Sequence, residues 1–433
     1  MQVCEGDEIV VNVDNLLRNG EGVSIHWHGV HQRRTPYMDG VAQLTQCSIP
    51  AYTSFQYRFK ADTPGTHFWH SHSGLQRADG LFGKLVIRQT PADDPNSHLY
   101  DFDLPEHEII VTDWLNEPMM NEFPAHHHKQ LNPLNTKGSR NLIPISNVKS
   151  LAPDDKSLND PDMQLYLSFD FYKVDSTLFH DPSLYPIRAI EMGKHLYTPQ
   201  VNHISAILPP SPPLTQYYDV PQNLICNETT RRNCDKEYCE CVYMYKIPLG
   251  NVVEMVLIDE GVTFDASHPF HLHGYRFRVV AMDRVNKSGV TADDVRRLDR
   301  EGLIARKLSG APLKDTVTVP DGGYTIIRFH ADNPGIWFFH CHIAFHAEIG
   351  MAVVMQVGEP TDFPYPPYKF PRCGNFAHTR GAEPPPGEEY LESIGRRNRA
   401  RYGSHHTDSG ASDKSLGCIL AVFCCFCAFF RLT

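Results

Sequence analysis

Four copies of one short pattern, His-x-His, constrain this chain more than any other feature: His26-Trp27-His28, His70-Ser71-His72, His271-Leu272-His273 and His340-Cys341-His342. In a β-strand residues i and i+2 point to the same face, so each pair presents two imidazoles to one place. The four pairs supply eight ligands. One such pair alone reads as a surface or core pair. Four of them, with a cysteine inside one and His346 five residues beyond it, are hard to obtain without a metal. The rest of the sequence agrees with strands. Short β-branched and aromatic runs such as Glu8-Ile9-Val10-Val11-Asn12-Val13, Phe55-Gln56-Tyr57-Arg58-Phe59, Val252 to Ile258 and Tyr324 to Phe329 recur between Gly, Pro, Asn and Asp. They predict an all-β chain of sandwiches, strand-rich over about 1–90 and again over about 160–360. One short surface helix is expected over Asp293–Glu301, ending near Gly302.

The fourth motif separates two functions. In an extended segment Cys341 points away from the face shared by His340 and His342, so one strand touches two metal sites. Cys341, His346, His268 and an axial Met351 make the His₂Cys-plus-Met set of a blue copper electron-transfer centre. The eight paired histidines can build a cluster of three coppers, one peptide unit from Cys341. Zinc is the next candidate, but a soft thiolate and thioether with many imidazoles suit copper better. His31, His67, the run His126-His127-His128, His405 and His406 read as solvated or structural.

A formal net charge of −11 and the lack of a long basic run leave nothing to attract nucleic acid. Cys226, Cys234, Cys239 and Cys241 lie in turn-rich sequence with no His pair at finger spacing, and read as local disulfides rather than zinc ligands. The sequons at Asn227 and Asn286 add to an expectation of an oxidising, extracellular or cell-surface location and a glycoprotein. The N-terminus has no signal region and runs straight into a strand, as if beginning inside a domain. The apolar run Cys418–Phe430 is shorter than a spanning helix needs, and the small residues Ser409, Gly410, Ala411 and Ser412 before it read as a lipid-anchor attachment site.

With these motifs in view, the sequence resembles the multicopper oxidases, in particular the laccase-like enzymes of arthropods. The match runs through Pro36-Tyr37-Met38-Asp39-Gly40, Leu75-Gln76-Arg77-Ala78-Asp79-Gly80-Leu81-Phe82-Gly83 and Lys314-Asp315-Thr316-Val317, over roughly 1–115 and 155–375. It implies cupredoxin-like Greek-key β-sandwich domains and four copper ions, one type 1, one type 2 and two type 3. By position it makes His268, Cys341 and His346 the type 1 ligands with Met351 axial, and gives His26 and His271 to type 2. It gives His28, His70, His72, His273, His340 and His342 to the type 3 pair. Asp39 resembles the acidic residue that relays protons beside the three coppers, and Asp79 is a weaker candidate to support the ligands. The implied activity is one-electron oxidation of diphenols or aromatic amines coupled to four-electron reduction of dioxygen to water. A ferroxidase is the alternative, although Ala344 offers no carboxylate beside the type 1 site and Glu348 is the nearest acid in sequence.

The family has three such domains, with copper ligands in the first and last. Only 196 positions separate His72 from His268, which leaves little room for a middle sandwich. The chain therefore divides into a first cupredoxin domain (1–105), a linker or middle-domain remnant (106–155) opening with the strand Ile109–Leu115, a C-terminal cupredoxin domain (156–375) and a tail (376–433). Such a chain closes its site alone or between two copies, or is a copper-binding isoform that turns nothing over.

Overall fold

The computed structural model describes residues 1–112, 114, 118–119, 148–174, 196–231, 233–263, 266–285, 287, 289–373 and 429–432. The apolar runs of the sequence form strands close to their expected ends: Glu8–Asp14, Ser54–Lys60, Val252–Asp259 and Gly323–His330. The expected helix spans Ala292–Arg300. Thr291 and Asp294 close a capping box at its start, and Gly302 follows its end with φ +71°.

In the N-terminal part, the strands Gln2–Cys4, Phe82–Arg88, Gly65–Ser71 and Ile25–His28 form one sheet in that order. The strands Glu8–Asp14 and Ser54–Lys60 form a second sheet, which the chain end Phe429–Leu432 joins in parallel on Val10–Val13. Val3, Ile9, Val11, Ile25, Trp27, Tyr57, Phe59, Leu85 and Ile87 fill the space between these sheets. The C-terminal part winds a longer set of strands, from Met163–Val174 to Ala352–Val357, around a second core that holds Phe169, Phe171, Met255, Trp337, Phe339, Cys341 and Met351.

Alternation along one strand joins the two halves. In Gly335–Cys341 every residue is buried. Trp337, Phe339 and Cys341 pack into the C-terminal core, while Ile336 and Phe338 pack into the N-terminal cluster together with Val242, Met244, Ala352 and Val354. The period of two thus turns one face of the strand inward and the other to the first domain. A disulfide between Cys47 and Cys373 ties the same two halves across 326 positions. Cys226–Cys241 and Cys234–Cys239 form local disulfides, the kind the turn-rich sequence there leads one to expect.

Of the expected strand Ile109–Leu115, the described residues Ile109–Thr112 and Trp114 lie in no strand. Ile109 is 84% exposed, Val111 90% and Trp114 75%, and Asp113 and Leu115 lie outside the described residues. A strand needs a paired neighbouring strand for its N–H and C=O groups, and none of the described strands runs beside Ile109–Thr112. The histidines 126–128, 405 and 406, the Asn286 sequon, the proposed attachment residues and Cys418–Ala428 also lie outside the described residues. Asn227 is partly buried, with its side chain accepting from Thr229 and Thr230. No described helix is long and apolar enough to cross a membrane.

Behind the C-terminal core, Glu254 is 1% exposed and receives Arg328 Nε at 2.6 Å, Arg306 Nη2 at 2.7 Å and Gln164 Nε2 at 2.8 Å. Burial acts to raise its pKa, but these donors outweigh it and hold the carboxyl below its ordinary range. A depressed folded pKa gives stability that is present above the unfolded value and lost as pH falls through the folded one. Glu254→Ala leaves the buried Arg328 guanidinium facing no carboxylate, while Arg306 keeps Asp299. It is expected to cost ~3–5 kcal/mol, read as a lower denaturation midpoint at pH 7 with a smaller difference from the parent under strongly acidic conditions.

Candidate metal centre

The four His-x-His pairs sit on two strand pairs, one in each half. Ile25–His28 runs antiparallel to Gly65–Ser71 with His26 opposite His70, and His268–Leu272 runs antiparallel to Gly335–Cys341 with His271 opposite His340. Three of the motifs continue past the ends of their strands. His72 is held by its N–H to Ser24 O (2.8 Å), His273 by Phe338 O (3.0 Å) and His342 by Pro269 O (2.6 Å). Gly274 lets the chain turn after His273. Its φ is +75°, and a Cβ there would meet the Trp337 ring at 2.5 Å.

Packing the two strand pairs face to face gathers all eight rings. Ring centroids lie 3.8 Å apart for His28 and His271, 3.9 Å for His26 and His273, and 4.8 Å for His28 and His342. Four donor groups result, three of them all histidine, each with ligand atoms within 4.8 Å of one another: His26, Asp39 and His273; His26, His28 and His271; His28, His70 and His342; and His72, His273 and His340. The last two groups are the six histidines given to type 3 by resemblance, divided three and three. His26 and His271, the pair given to type 2, fall together in the second.

The hydrogen bonds aim the rings. Nδ1 of His26, His70, His271 and His340 faces the carbonyls of Asp39 (2.8 Å), Ser71 (2.8 Å), Asp315 (2.9 Å) and Cys341 (2.9 Å), and His273 Nδ1 faces Asp39 Oδ2 (2.9 Å). Donation from Nδ1 fixes the tautomer that leaves Nε2 with a lone pair. Nε2 of His26, His70, His72 and His271 is buried without a partner, and in His28 it is Nδ1 that has none. Buried unpaired nitrogens are costly. Five converging on one space fit metal ions held there. Burial pushes His70, His72, His271, His273 and His342 well below the ordinary histidine value and His340 down to about 3, so the rings are neutral ligands.

Asp39 is fully buried, with Oδ1 3.2 Å from His26 Nδ1 and Oδ2 2.9 Å from His273 Nδ1. It reaches the strand through Gly40, φ +82°, where any Cβ would strike Ile25 O at 1.7 Å. Asp79 does not support the ligands. It is exposed, and its Oδ1 accepts Met119 N at 2.6 Å.

Beyond the strand, Cys341 Sγ is 3.5 Å from His346 Nδ1, and the His268 and His346 rings are 5.0 Å apart. Met351 is buried in the same core and its carbonyl accepts Cys341 N at 3.0 Å. Burial pushes the Cys341 thiol up to about 12, so the thiolate needs a cation such as a metal to form. His268 Nδ1 meets Asp259 Oδ2 at 2.9 Å and its Nε2 has no partner.

Three residues here escaped the sequence reading. Asp315 touches His28 and the His271 neighbourhood; burial would raise its pKa, but these histidines hold it well below the carboxylate range. Arg77 reaches His342 from the first domain. Both lie inside motifs already singled out, which was their signal. Asp259 had none, since only folding places it on His268.

Models described as multicopper oxidase match residues 1–92 and 208–361, together more than half of the chain. The L-ascorbate oxidase of Cucurbita maxima is 26% identical over 510 residues, covering 82% of this chain and 84% of that protein. Laccase-2 of Agaricus bisporus is 28% identical (82% and 83%), and the iron transport multicopper oxidase fio1 of Schizosaccharomyces pombe 26% (80% and 69%). Among solved structures, the fold matches Fet3p, a multicopper oxidase that functions in iron import, with a TM-score of 0.57 at 18% identity (92% and 89% covered). It also matches the laccase from Botrytis aclada at 0.54 and 17% (95% and 88%). The fold is accordingly the cupredoxin-like Greek-key sandwich.

Proposed function

This chain belongs to the multicopper oxidase family, and we propose that it is a laccase-type member holding four coppers, which oxidises diphenols or aromatic amines and reduces dioxygen to water. The observation that carries this reading is the shell of eight paired histidines, five of them with a buried unpartnered ring nitrogen, next to Cys341 on a shared strand. His268, Cys341, His346 and Met351 would hold the type 1 ion, His26 and His271 the type 2 ion, and the remaining six paired histidines the type 3 pair. Bound copper supplies one-electron transfer at the first of these sites and oxygen reduction at the others. The protein's own part is positional. Asp39 fixes two rings through their Nδ1–H groups and, as a buried carboxylate, can take and return a proton beside the cluster. Trp337 and Phe339 pack Cys341 away from water, while its backbone runs directly into His340 and His342.

The same reading divides the chain as 1–105, 106–155 and 156–375, with most of a middle domain absent. The alignment with the squash enzyme supports this: 82% of 433 residues is about 355, so 510 aligned positions leave about 155 of the relative without a counterpart. The exposed apolar residues Ile109, Val111 and Trp114 lie where that domain would begin. An extracellular site of action follows from the three disulfides.

Ferroxidase activity is the second reading, favoured by the similarity to the iron transport multicopper oxidase fio1. Oxygen consumption by the copper-loaded chain separates the two. Uptake with catechol well above that with Fe(II) supports the laccase reading, and the reverse supports the ferroxidase. Full copper with neither substrate consumed makes the chain a copper-binding isoform without turnover.

A further inference from the structure

Arg77 is the one cation that the first domain sends to the strand bearing Cys341 among the described residues, and neither the ligand set nor Asp39 accounts for it. Its Nη2 donates to His342 O at 2.6 Å, across 265 positions of sequence, and Nη1 lies 2.7 Å from His342 Nδ1 and 3.0 Å from Nε2. A ring nitrogen can accept this donor only through a lone pair, the same one a metal would take. The carbonyl contact is therefore the one that a loaded site can keep. It holds the guanidinium one residue from Cys341, and the charge acts on both Cys341 and Glu348. Burial lowers the Arg77 pKa to about 10, which leaves it charged at neutral pH.

We propose that Arg77 is a positioning residue for electron transfer. Its fixed positive charge raises the reduction potential of the Cys341 centre, and its Nη2 holds the His342 carbonyl so that the step from Cys341 to the histidine cluster keeps its geometry. The sign follows from electrostatics. A thiolate-bound copper carries one more positive charge when oxidised than when reduced, so a nearby cation disfavours the oxidised form. Loss of that cation lowers the potential. Lysine keeps the charge and a donor for the His342 carbonyl, whereas glutamine keeps a hydrogen-bond donor without the charge.

The inference rests on the copper reading above, so the parent chain is tested first. A copper-loaded parent without an intense blue band refutes that reading and leaves no centre for Arg77 to tune. With a blue parent, the full-length Arg77→Gln and Arg77→Lys variants are loaded with copper, and the band is titrated against one-electron mediators. Arg77→Gln is expected to shift the equilibrium at least tenfold toward the oxidised form, 59 mV for one electron, with the blue band kept. Arg77→Lys is expected to restore the parent potential. Equal potentials in Arg77→Gln and parent overturn the proposal, as do equally lowered potentials in both variants. If Arg77→Gln loses its band, Arg77→Lys decides: a blue centre at the parent potential supports the charge effect. Loss of the band in both variants overturns it and leaves Arg77 a residue of folding only.

Discussion

Cys341→Ser is expected to abolish the intense visible band, remove one copper per chain and reduce oxygen uptake to background. The soft thiolate sets this centre apart from the histidine shell, and a serine hydroxyl is a poor ligand for copper in a His₂Cys site. Cys341 is fully buried among Trp337, Phe339 and Met351, with its Sγ beside His346 Nδ1. Serine is close in size, so packing survives and the remaining coppers stay. Visible absorption and metal analysis of the purified variant check this. A variant that keeps the blue band would remove Cys341 from the centre.

The second large effect belongs to Asp39→Ala. This carboxylate is the only acidic side chain, among the described residues, that touches two of the paired histidines through Nδ1. Partners of this kind orient metal-bound imidazoles, and losing one typically costs ~10–100-fold in metal affinity or activity. Here the substitution frees the His273 ring, while His26 Nδ1 keeps the Asp39 backbone carbonyl at 2.8 Å, so the expected loss lies at the lower end of that range, about tenfold. Asp39→Asn retains one acceptor oxygen and should fall between the parent and alanine. Copper-competition titrations with a chelator give the affinities, and equal affinities in all three proteins would reduce Asp39 to packing.

The sequence made the site more legible than the fold around it. Ligand chemistry is written locally: His-x-His with a period of two, and Cys341 between two histidines on the opposite face, survive folding because a strand has no other way to display them. The apolar runs gave the strands for the same reason. What depends on distant contacts was hidden. Asp259 meets His268 only after the Val252–Asp259 strand is placed beside it, Arg77 meets His342 only when the halves dock, and Cys47 finds Cys373 over 326 positions. Ile109–Leu115 erred in the other direction. It has the composition of a strand, but a strand is a relation between two segments, and Ile109–Thr112 belongs to no described strand.

The ratio of copper to protein in the purified, copper-loaded chain tests the central claim most directly. If the two halves form one metal-holding shell beside the Cys341 centre, the ratio is close to four. A ratio near one, with the blue band present, would show that the histidines gathered between the halves hold no cluster, and would contradict the account.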